Sequence, residues 1–405
     1  MMGRANLKSA TVVALLAGVL AATSASAACR NTGNFAQWLE QAKREALAQG
    51  ISPTTLLAAA PYMTFDQATI GKDRGQGVFT QTFLQFSDRM VASYRLQRGA
   101  ALIQTHAAIF SRIEKQYGVP AAVIVAFWGL ETDFGANIGN LPTLRSVTTL
   151  AYDCRRPELF RKELFNALRV IQRGDLAPSQ MIGPWAGELG QFQFLPSHYY
   201  DYAVDFDGDG RRDLLHSVPD ALASAANLLA NHGWQRGQPW LREVRVPASM
   251  PWEQADLAIQ LPHSQWAKWG VTLSNGQPLP PDSVPASLIL PMGRNGPAFL
   301  AYPNFKVYLE WNQSLVYSTT AAYFATRLNG APVVHRGNGP VPVLSAAQIR
   351  ELQQQLTRLG YKIGEVDGKL GLATRAAVRA VQLKLGLPAD AYPTPDLAQR
   401  IRTLR

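Results

Sequence analysis

The feature that most constrains the fold is an apolar stretch that ends in one carboxylate. Residues 120–127 form an unbroken apolar run, which predicts a buried helix. The segment FWGLETDFG at 127–135 follows, with Glu131 among aromatic rings and glycines. Burial withdraws water from a carboxyl group and favours its protonated form, the state that a general acid needs at neutral pH. The alternative is a solvated glutamate at a helix C-terminus that is capped by Gly135.

The first residues predict export from the cytoplasm. Residues 1–27 combine Arg4 and Lys8, an apolar run over 10–22 and an A-x-A cleavage site, which are the three parts of a secretory signal peptide. The apolar run is too short for a membrane anchor, and no other stretch is long and apolar enough to cross a bilayer. We therefore expect no transmembrane segment after signal removal.

The two cysteines of the chain, Cys29 and Cys154, predict one disulfide bond. An even cysteine count in an exported chain indicates pairing. Because Cys29 directly follows the cleavage region, lipid anchoring at Cys29 is the alternative. We favour the disulfide, since residues 26–28 lack the leucine that usually precedes a lipidated cysteine.

The composition narrows the classes of partner. The formal net charge is +10 over 405 residues, which in an exported protein indicates an anionic wall polymer or membrane surface rather than nucleic acid. A solvated basic surface without a partner is the alternative. The 6 histidines show no metal-ligand spacing, which disfavours a zinc amidase or peptidase. The length allows two or three domains.

The secondary-structure pattern is mostly helical. A long helix is predicted over 92–116, whereas alternation over 241–246 and a short run at 305–308 predict strands within a proline-rich region. Glycines and prolines at 331–343 indicate a linker, and 344–405 has the length of a small independent domain.

A second informative segment is AGELGQFQFLPS at 186–197. Its small residues let a ligand approach the backbone, and Gln191 and Gln193 offer donors and acceptors beside flat aromatic faces. This combination suits a sugar ring. A glycine-rich packing loop is the alternative interpretation.

A third segment matches the start of a calcium-binding loop. Asp205, Asp207 and Asp209 alternate in the pattern D-x-D-x-D-G, so that their carboxylates can meet one hard cation. The twelfth position is His216 instead of glutamate, and Asp220 is the predicted later ligand. We expect a structural Ca2+; the alternative is an Asp-rich turn without metal.

Together these segments resemble the lytic murein transglycosylase B family (glycoside hydrolase family 103). The resemblance rests on GLETDFG at 129–135, AGELGQFQFLPS at 186–197 and YAVDFDGDG at 202–210, and it extends to 231–234 and 311–314. It implies a mainly α-helical, lysozyme-like fold with a small β-containing subdomain. The catalytic domain is expected over 28–330, behind a signal peptide at 1–27.

The resemblance also implies an activity. The family cleaves the β-1,4 bond between N-acetylmuramic acid and N-acetylglucosamine in peptidoglycan. One glutamate, matching Glu131, protonates the leaving oxygen and then deprotonates the muramoyl 6-hydroxyl, which closes a 1,6-anhydro ring. No cofactor and no second carboxylate are required, unlike in two-carboxylate glycosidases.

Further site residues follow from the same resemblance. Gln193 and Asn312 are expected to contact the glycan or the reacting acetamido group, and Arg155 and Arg156 match a pair that lies along the glycan cleft. Tyr317 is a weaker cleft candidate. The resemblance also implies a cation loop at the aspartates named above.

Glu188 complicates this interpretation, because the family often has a small or apolar residue there. As a second carboxylate it would allow lysozyme-type hydrolysis of the same bond; a structural or substrate-contacting role is the interpretation we favour. A wall-binding protein without catalysis is the other alternative.

The C-terminal segment, 344–405, resembles the three-helix type of peptidoglycan-binding domain. Its helical pattern predicts core faces and places Thr374 as a helix cap; the predicted core residues are Leu352, Leu356, Ala377, Val378 and Val381. The expected partners are therefore peptidoglycan glycan strands, with complexes of other cell-wall enzymes as a further class. The expected compartment is the periplasm.

Overall fold

A computed structural model describes residues 34–75, 81–281 and 284–404 of the chain. This described part is mainly helical, as predicted. Its α-helices are α1 (Phe35–Ala48), α2 (Pro53–Ala59), α3 (Gln67–Arg74), α4 (Phe83–Met90), α5 (Ser93–Thr105), α6 (Ala107–Tyr117), α7 (Ala121–Thr132), α8 (Thr143–Tyr152), α9 (Pro157–Arg173), α10 (Pro196–Tyr202), α11 (Val218–Asn231), α12 (His263–Lys268), α13 (Phe305–Trp311), α14 (Leu315–Leu328), α15 (Ala346–Arg358), α16 (Leu372–Lys384) and α17 (Pro395–Thr403).

The strands are short and few within the described ranges. They are β1 (Leu141–Pro142), β2 (Ile182–Gly183), β3 (Leu241–Arg245), β4 (Thr272–Leu273), β5 (Ser287–Ile289) and β6 (Ala298–Ala301). β1 and β2 form an antiparallel pair, and the other four form an antiparallel sheet in the order β4-β3-β6-β5.

Helix α7 is the centre of the largest core, which confirms the predicted buried helix. Nearly all of its residues are buried, and it packs against α14 and α5. Gly129 makes the α14 contact tight, since a Cβ there would lie 2.9 Å from the Phe324 ring. The helix ends at Thr132, and its C-cap is Asp133 in the left-handed conformation rather than Gly135.

Two predicted elements differ from the structure. The helix expected over 92–116 is divided at His106 into α5 and α6. The strand expected at 305–308 is wrong, because this run begins helix α13. Phe305 and Tyr308 are three residues apart and both buried, so that the same short apolar run fits a helix face as well as a strand.

The sheet builds a subdomain with its own core, and strand β3 confirms the prediction for 241–246. Leu241 of β3 pairs with Ala301 of β6, and Leu288 of β5 pairs with Leu300. On one face of the sheet a separate apolar cluster forms around the fully buried Trp266.

The C-terminal helices α15, α16 and α17 enclose a third core. All five core residues predicted from the helical pattern are buried in it. Thr374 lies inside α16 instead of capping it, because Gly371 holds the N-cap position. The buried Thr374 hydroxyl instead accepts a hydrogen bond from Gln353 Nε2 at 3.3 Å.

This third unit is docked firmly on the sheet subdomain. Arg375 of α16 is buried, and its guanidinium donates to the carbonyl oxygens of Leu290, at 3.2 Å, and Pro291. Arg379 pairs with Asp256 at 2.6 Å. The intervening residues 331–343 contain no helix or strand.

Two predictions involve the N-terminal residues. The signal peptide at 1–27 and the lipid-anchoring alternative at Cys29 lie outside the described residues. Cys154 is disulfide-bonded, but its predicted partner Cys29 also lies outside them, so the pairing stays a prediction. Among the described residues, no helix combines the length and the apolar character that crossing a bilayer demands.

Candidate active site

Glu131 lines a cleft of about 560 Å³ on the surface of the helical core. The C-terminal end of α7 supplies Glu131, the segment before α10 supplies Glu188 and Gln193, and the end of α13 supplies Asn312. Segments that are distant in the sequence therefore meet at this one surface. We call it the Glu131 cleft.

Two aromatic donors hold the Glu131 carboxyl group. Trp311 Nε1 donates to Glu131 Oε1 at 2.9 Å, and the Tyr317 hydroxyl donates to the same oxygen. The Trp311 ring is itself fixed by stacking on Phe127, with ring centroids 4.3 Å apart. Because both donors reach Oε1, the other oxygen, Oε2, is the one that can face a substrate.

The environment of Glu131 brings the pKa of its carboxyl group close to neutral pH. Loss of water on burial raises the pKa of Glu131 to about 7, and the nearby Glu188 charge raises it further, while the hydrogen bonds from Tyr317 and Trp311 oppose the shift. A carboxyl group with this pKa donates a proton readily at neutral pH and accepts one back. The sequence-based expectation of a desolvated glutamate is therefore confirmed, and the solvated helix-end interpretation is wrong.

The chain turns sharply after Glu131, and this turn shapes the cleft. Asp133, Phe134 and Gly135 have φ angles of 53°, 63° and 83°, three successive left-handed residues. A Cβ at Gly135 would lie 2.7 Å from the side-chain oxygen of Gln191, so only glycine fits there. Asp133 accepts from Arg95 Nε at 3.1 Å and has a structural role.

The two glutamines of the AGELGQFQFLPS segment have different roles. Gln191 is buried and links core elements, since it accepts from Trp128 Nε1 at 2.9 Å and donates to the Leu215 carbonyl at 3.2 Å. Gln193 lines the cleft with a φ of 51°, and its amide donates to the Gly190 carbonyl at 2.9 Å. The same Nε2 also donates to the Ile138 carbonyl at 3.4 Å.

Asn312 lines the same cleft directly after α13. Its side-chain oxygen accepts from the Ser314 backbone N–H at 2.9 Å. This bond orients the amide group and leaves the Asn312 NH2 as a donor toward a ligand. The predicted positions of Gln193 and Asn312 thus converge with Glu131.

The predicted arginine pair divides between two environments. Both side chains contact the buried Asp73, Arg155 at 2.8 Å and Arg156 through a shorter ion pair. Arg156 also lines the cleft, with its guanidinium 4.9 Å from the Phe160 ring centroid. Among the described residues, those around the cleft do not include Arg155.

Glu188 lies in the cleft, as the sequence alternative required. Burial raises its pKa, and the Arg156 charge opposes that shift. One carboxyl oxygen, Glu188 Oε2, is buried without a hydrogen-bond partner among the described residues.

Tyr317 connects the cleft to a second cavity. Its hydroxyl reaches Glu131, whereas the residue also lines a groove of about 780 Å³ between the helical core and the C-terminal domain. This groove is larger than the Glu131 cleft, but the Glu131 carboxyl group lines the cleft and not the groove.

Sequence reasoning missed several residues of the cleft. Trp311 adjoins the predicted Asn312, but nothing in the sequence places it on the Glu131 carboxyl. His198 and His232 also line the cleft, with ring centroids 6.3 Å apart. Their 34-residue separation carries no motif, and only the contact between α10 and α11 brings them together.

The Asp loop, residues 205–213, brings three of the four predicted cation ligands together. Asp205, Asp207 and Asp209 present carboxylate oxygens within 4.8 Å of one another. Asp220 is fully buried, and its carboxylate accepts backbone N–H groups of Phe206 at 2.7 Å and Asp213 at 2.9 Å. In this structure the Asp220 carboxylate therefore stabilises the backbone of the Asp loop, and it does not belong to the cluster of three carboxylates.

Comparison with known proteins identifies two family matches in the chain. Residues 34–326 match the model of the transglycosylase SLT domain, and residues 345–401 match that of a peptidoglycan-binding domain. The first match covers most of the chain and includes every residue that we assign to the Glu131 cleft.

Individual relatives agree with these matches. The chain is 31% identical over 239 residues to the membrane-bound lytic murein transglycosylase B of Escherichia coli (strain K12), which covers 58% of this chain and 64% of that protein. The structure of SltB3 from Pseudomonas aeruginosa in complex with NAG-anhNAM-pentapeptide is 42% identical, with a TM-score of 0.83, over 91% of this chain and 100% of that one.

A further relative has been solved with calcium. The Escherichia coli lytic transglycosylase Slt35 in complex with calcium is 26% identical, with a TM-score of 0.60, over 74% of this chain and 93% of that one. The helical fold with its small sheet is thus shared with solved lytic transglycosylases.

Proposed function

Because this chain belongs to the family of SLT transglycosylases, we propose that it is a lytic transglycosylase of peptidoglycan. It cleaves the β-1,4 bond between N-acetylmuramic acid and N-acetylglucosamine and leaves 1,6-anhydromuramoyl ends. The observation that carries this proposal is Glu131, a carboxyl group with a pKa of about 7 in a cleft that is suited to a glycan. The relative with a bound NAG-anhNAM-pentapeptide supports it.

One carboxyl group is enough for this reaction. Protonated Glu131 gives its proton to the glycosidic oxygen as the bond from that oxygen to muramoyl C1 breaks. The resulting carboxylate then takes the proton of the muramoyl 6-hydroxyl, whose oxygen bonds to C1 and closes the anhydro ring. Glu131 ends protonated, and no water is consumed. A pKa near neutrality serves both proton transfers.

Hydrolysis is the competing reaction, and Glu188 is the observation that favours it. Glu188 lines the same cleft and could activate a water molecule as a second carboxylate. However, ring closure needs only Glu131, and the match to the transglycosylase SLT domain supports it. We therefore prefer intramolecular ring closure.

Mass spectrometry of the products released from purified sacculi tests the proposal. Products about 18 Da lighter than reducing forms, absent with Glu131→Gln, are expected, since ring closure replaces water addition. Reducing ends would instead establish hydrolysis and direct attention to Glu188. Binding of sacculi without any release would leave a non-catalytic wall-binding protein.

The C-terminal domain supplies a second contact with the wall in this proposal. Residues 345–401 match a peptidoglycan-binding family, and attachment to the polymer raises the local concentration of cleavable bonds. We also propose that the chain is exported to the periplasm after removal of 1–27, with the disulfide Cys29–Cys154. Assembly with other cell-wall enzymes remains a prediction.

The Asp loop is proposed to hold a structural Ca2+. Asp205, Asp207 and Asp209 offer hard oxygen ligands in one cluster, and a related lytic transglycosylase has been solved in complex with calcium. Asp220 would support the loop from behind, since its oxygens accept backbone N–H groups. The ion would stabilise the fold beside the cleft.

A further inference from the structure

The groove between the helical core and the C-terminal domain adjoins the Glu131 cleft, and we call it the interdomain groove. Its volume of about 780 Å³ lies within the range of about 300–1,000 Å³ that is typical of small-molecule sites. Asn312 lines the cleft, whereas the next residue, Gln313, lines the groove. Tyr317 also lines the groove, and its hydroxyl donates to Glu131. A ligand in the groove therefore lies beside the reacting carboxyl group.

A second point of the groove lies near the arginine segment that borders the cleft. Glu365 of the C-terminal domain lines the groove. The hydrogen bond to Asp73 raises the pKa of Arg155, and the charge of Glu365 raises it further. Arg155 directly precedes Arg156, which lines the Glu131 cleft. The groove thus extends along the cleft, from Tyr317 to the neighbourhood of the arginine segment.

The walls of the groove carry charges of both signs. Arg89 belongs to α4, and Glu365 and Lys369 lie in the loop between α15 and α16; all three residues are exposed. Arg89 donates to Gln81 at 2.8 Å, but across the described ranges none of the three forms an ion pair. Asp367 also lines the groove, but its carboxylate accepts from the Lys369 backbone N–H at 2.8 Å and so stabilises the loop. Two positive charges and one negative charge are therefore available to a ligand.

The C-terminal wall of the groove is fixed in position. Besides the Arg375 contacts described above, Asp390 accepts from the Arg294 backbone N–H at 3.0 Å. A Cβ at Gly293, which has a φ of 72°, would lie 2.8 Å from Tyr392 Cβ, so only glycine permits this close approach of the two units. The groove is thus formed before a ligand arrives, which reduces the entropy lost on binding.

A sugar chain does not account for these charges. The amino sugars of peptidoglycan are uncharged once the lactyl carboxyl of the muramoyl unit is joined to the stem peptide. Two aromatic rings of the groove are also covered, since Tyr392 is buried and the Arg89 guanidinium lies 5.5 Å from the Phe86 ring centroid. The groove therefore offers charged groups more than bare ring faces.

A stem peptide carries the matching charges. It leaves the muramoyl unit at the lactyl group, near the scissile bond, and it bears several carboxylates and, when it is not cross-linked, the free amine of its diamino acid. We propose that the interdomain groove binds the uncross-linked stem peptide of the substrate, with the amine at Glu365 and carboxylates at Lys369 and Arg89. This inference rests on the proposed function. Because cross-linking converts the amine into an uncharged amide, Glu365 distinguishes free from cross-linked peptides.

The test measures the Kd of two sugar-free probes for the full chain. The first probe, called the amine probe, is a stem tetrapeptide whose N-terminus is capped by a lactyl group, so that the amine of the diamino acid is its one free amine. The second, called the acetyl probe, is the same peptide with that amine acetylated. Neither probe contains a glycosidic bond, so binding is measured without cleavage.

Three variants remove the charges of the groove one at a time, and two matched controls remove charges elsewhere on the C-terminal domain. Lys362 is an exposed lysine of the same loop and Glu351 is an exposed pairing partner of another arginine; neither lines the groove. Thermal unfolding of every variant checks that it is folded. The variants are Glu365→Gln, Lys369→Met and Arg89→Met, and the controls are Lys362→Met and Glu351→Gln.

We expect Glu365→Gln to raise the Kd of the amine probe about fivefold, the upper range for an exposed ion pair. Acetylation should raise the Kd of the parent protein by the same factor and leave that of Glu365→Gln unchanged, because the pair is already broken. Lys369→Met and Arg89→Met should each raise the Kd of both probes about threefold, since both probes keep their carboxylates. The two controls should bind like the parent.

The same selection should appear in turnover of glycan strands. Strands with uncross-linked stem peptides should be cleaved with a lower KM than strands without peptides. Glu365→Gln should reduce this difference and leave kcat unchanged, since Glu365 lies outside the Glu131 cleft.

Each remaining outcome contradicts a part of the proposal. Failure of the amine probe to bind, or equal Kd values of the two probes for the parent, would overturn the role of the amine. Unchanged Kd values in Lys369→Met and Arg89→Met would overturn the carboxylate contacts. Weaker binding of peptide-free strands in these variants would assign the groove to the glycan instead. If the parent releases no anhydro products from sacculi, the proposed function fails, whereas the probe Kd values still test the groove.

Discussion

The Glu131 cleft and the Asp loop both contain several carboxyl groups, but the two regions differ in how far water reaches these groups. In the cleft, Glu131 meets aromatic donors and loses its water, and burial raises its pKa to about 7. In the Asp loop, Asp207 and Asp209 are exposed, and the loop backbone donates to their oxygens. The same functional group is therefore suited to proton donation where water is withdrawn, and to cation binding where water and the backbone solvate it.

The sharpest test of this contrast is loss of the Glu131 proton. Glu131→Gln should lower kcat by at least about 10³-fold, because the proposed reaction uses this one group for both proton transfers. Asp133→Asn, two residues away, should keep activity within about twofold, since Asp133 contacts only Arg95 and the Tyr94 hydroxyl among the side chains described, and neither lines the cleft. The measurement is release of anhydro-muropeptides from sacculi. Comparable losses in both variants would show that the segment, rather than the carboxyl group, is what matters.

The next largest effect is expected on stability, behind the Asp loop. Asp220→Ala removes the acceptor of the backbone N–H groups of Phe206 and Asp213, which should lower the free energy of unfolding by about 3 kcal/mol. Denaturant unfolding of the full chain measures it. A change below about 1 kcal/mol would mean that water replaces the carboxylate and that Asp220 does not organise the loop.

A smaller effect concerns the pH dependence of catalysis. The Tyr317 hydrogen bond lowers the pKa of Glu131, so Tyr317→Phe should raise that pKa and move the alkaline decline of kcat/KM to higher pH. Glu188→Gln removes a charge that raises the same pKa and should move the decline to lower pH. The pH profiles of both variants test the pair of signs. Shifts in the same direction would contradict this electrostatic account.

The smallest effect is expected from the cation. Adding Ca2+ to protein treated with a chelator should raise the Tm by about 2 °C, because a bound ligand stabilises the folded state. Asp205→Asn should abolish the increase. Since the chemistry needs no metal, kcat at a temperature well below the Tm should be unchanged by chelation. A loss of kcat in the folded, metal-free protein would place the ion closer to the reaction than proposed.

Local sequence patterns predicted the elements whose buried face can be recognised within a single segment. The buried helix α7 followed from an unbroken apolar run, and the C-terminal core followed from helical periodicity at residues such as Leu356 and Val378. The short run at 305–308 was misassigned because four residues fit both periods. Thr374 was wrongly predicted as the cap, because α16 begins at Leu372, two residues earlier, and its N-cap is Gly371.

The composition of the cleft was harder to predict because it depends on tertiary contacts. Glu131 and Trp311 are 180 residues apart, and their 2.9 Å bond exists only because α7 and α13 pack together. Arg155 and Arg156 both pair with Asp73, but only Arg156 lines the cleft, and the sequence does not show this difference. Sequence patterns identify the groups that can react, whereas packing determines which of them meet.

The buried Arg375 has a consequence for how the C-terminal domain acts. Its donation to the Leu290 and Pro291 carbonyls fastens α16 to the sheet subdomain, and breaking such buried charge-assisted bonds is costly. A domain on a flexible linker would raise the local concentration of the substrate without fixing its orientation. The docked domain has a fixed orientation instead. A glycan strand bound to the C-terminal domain would therefore reach the Glu131 cleft at a set angle and distance.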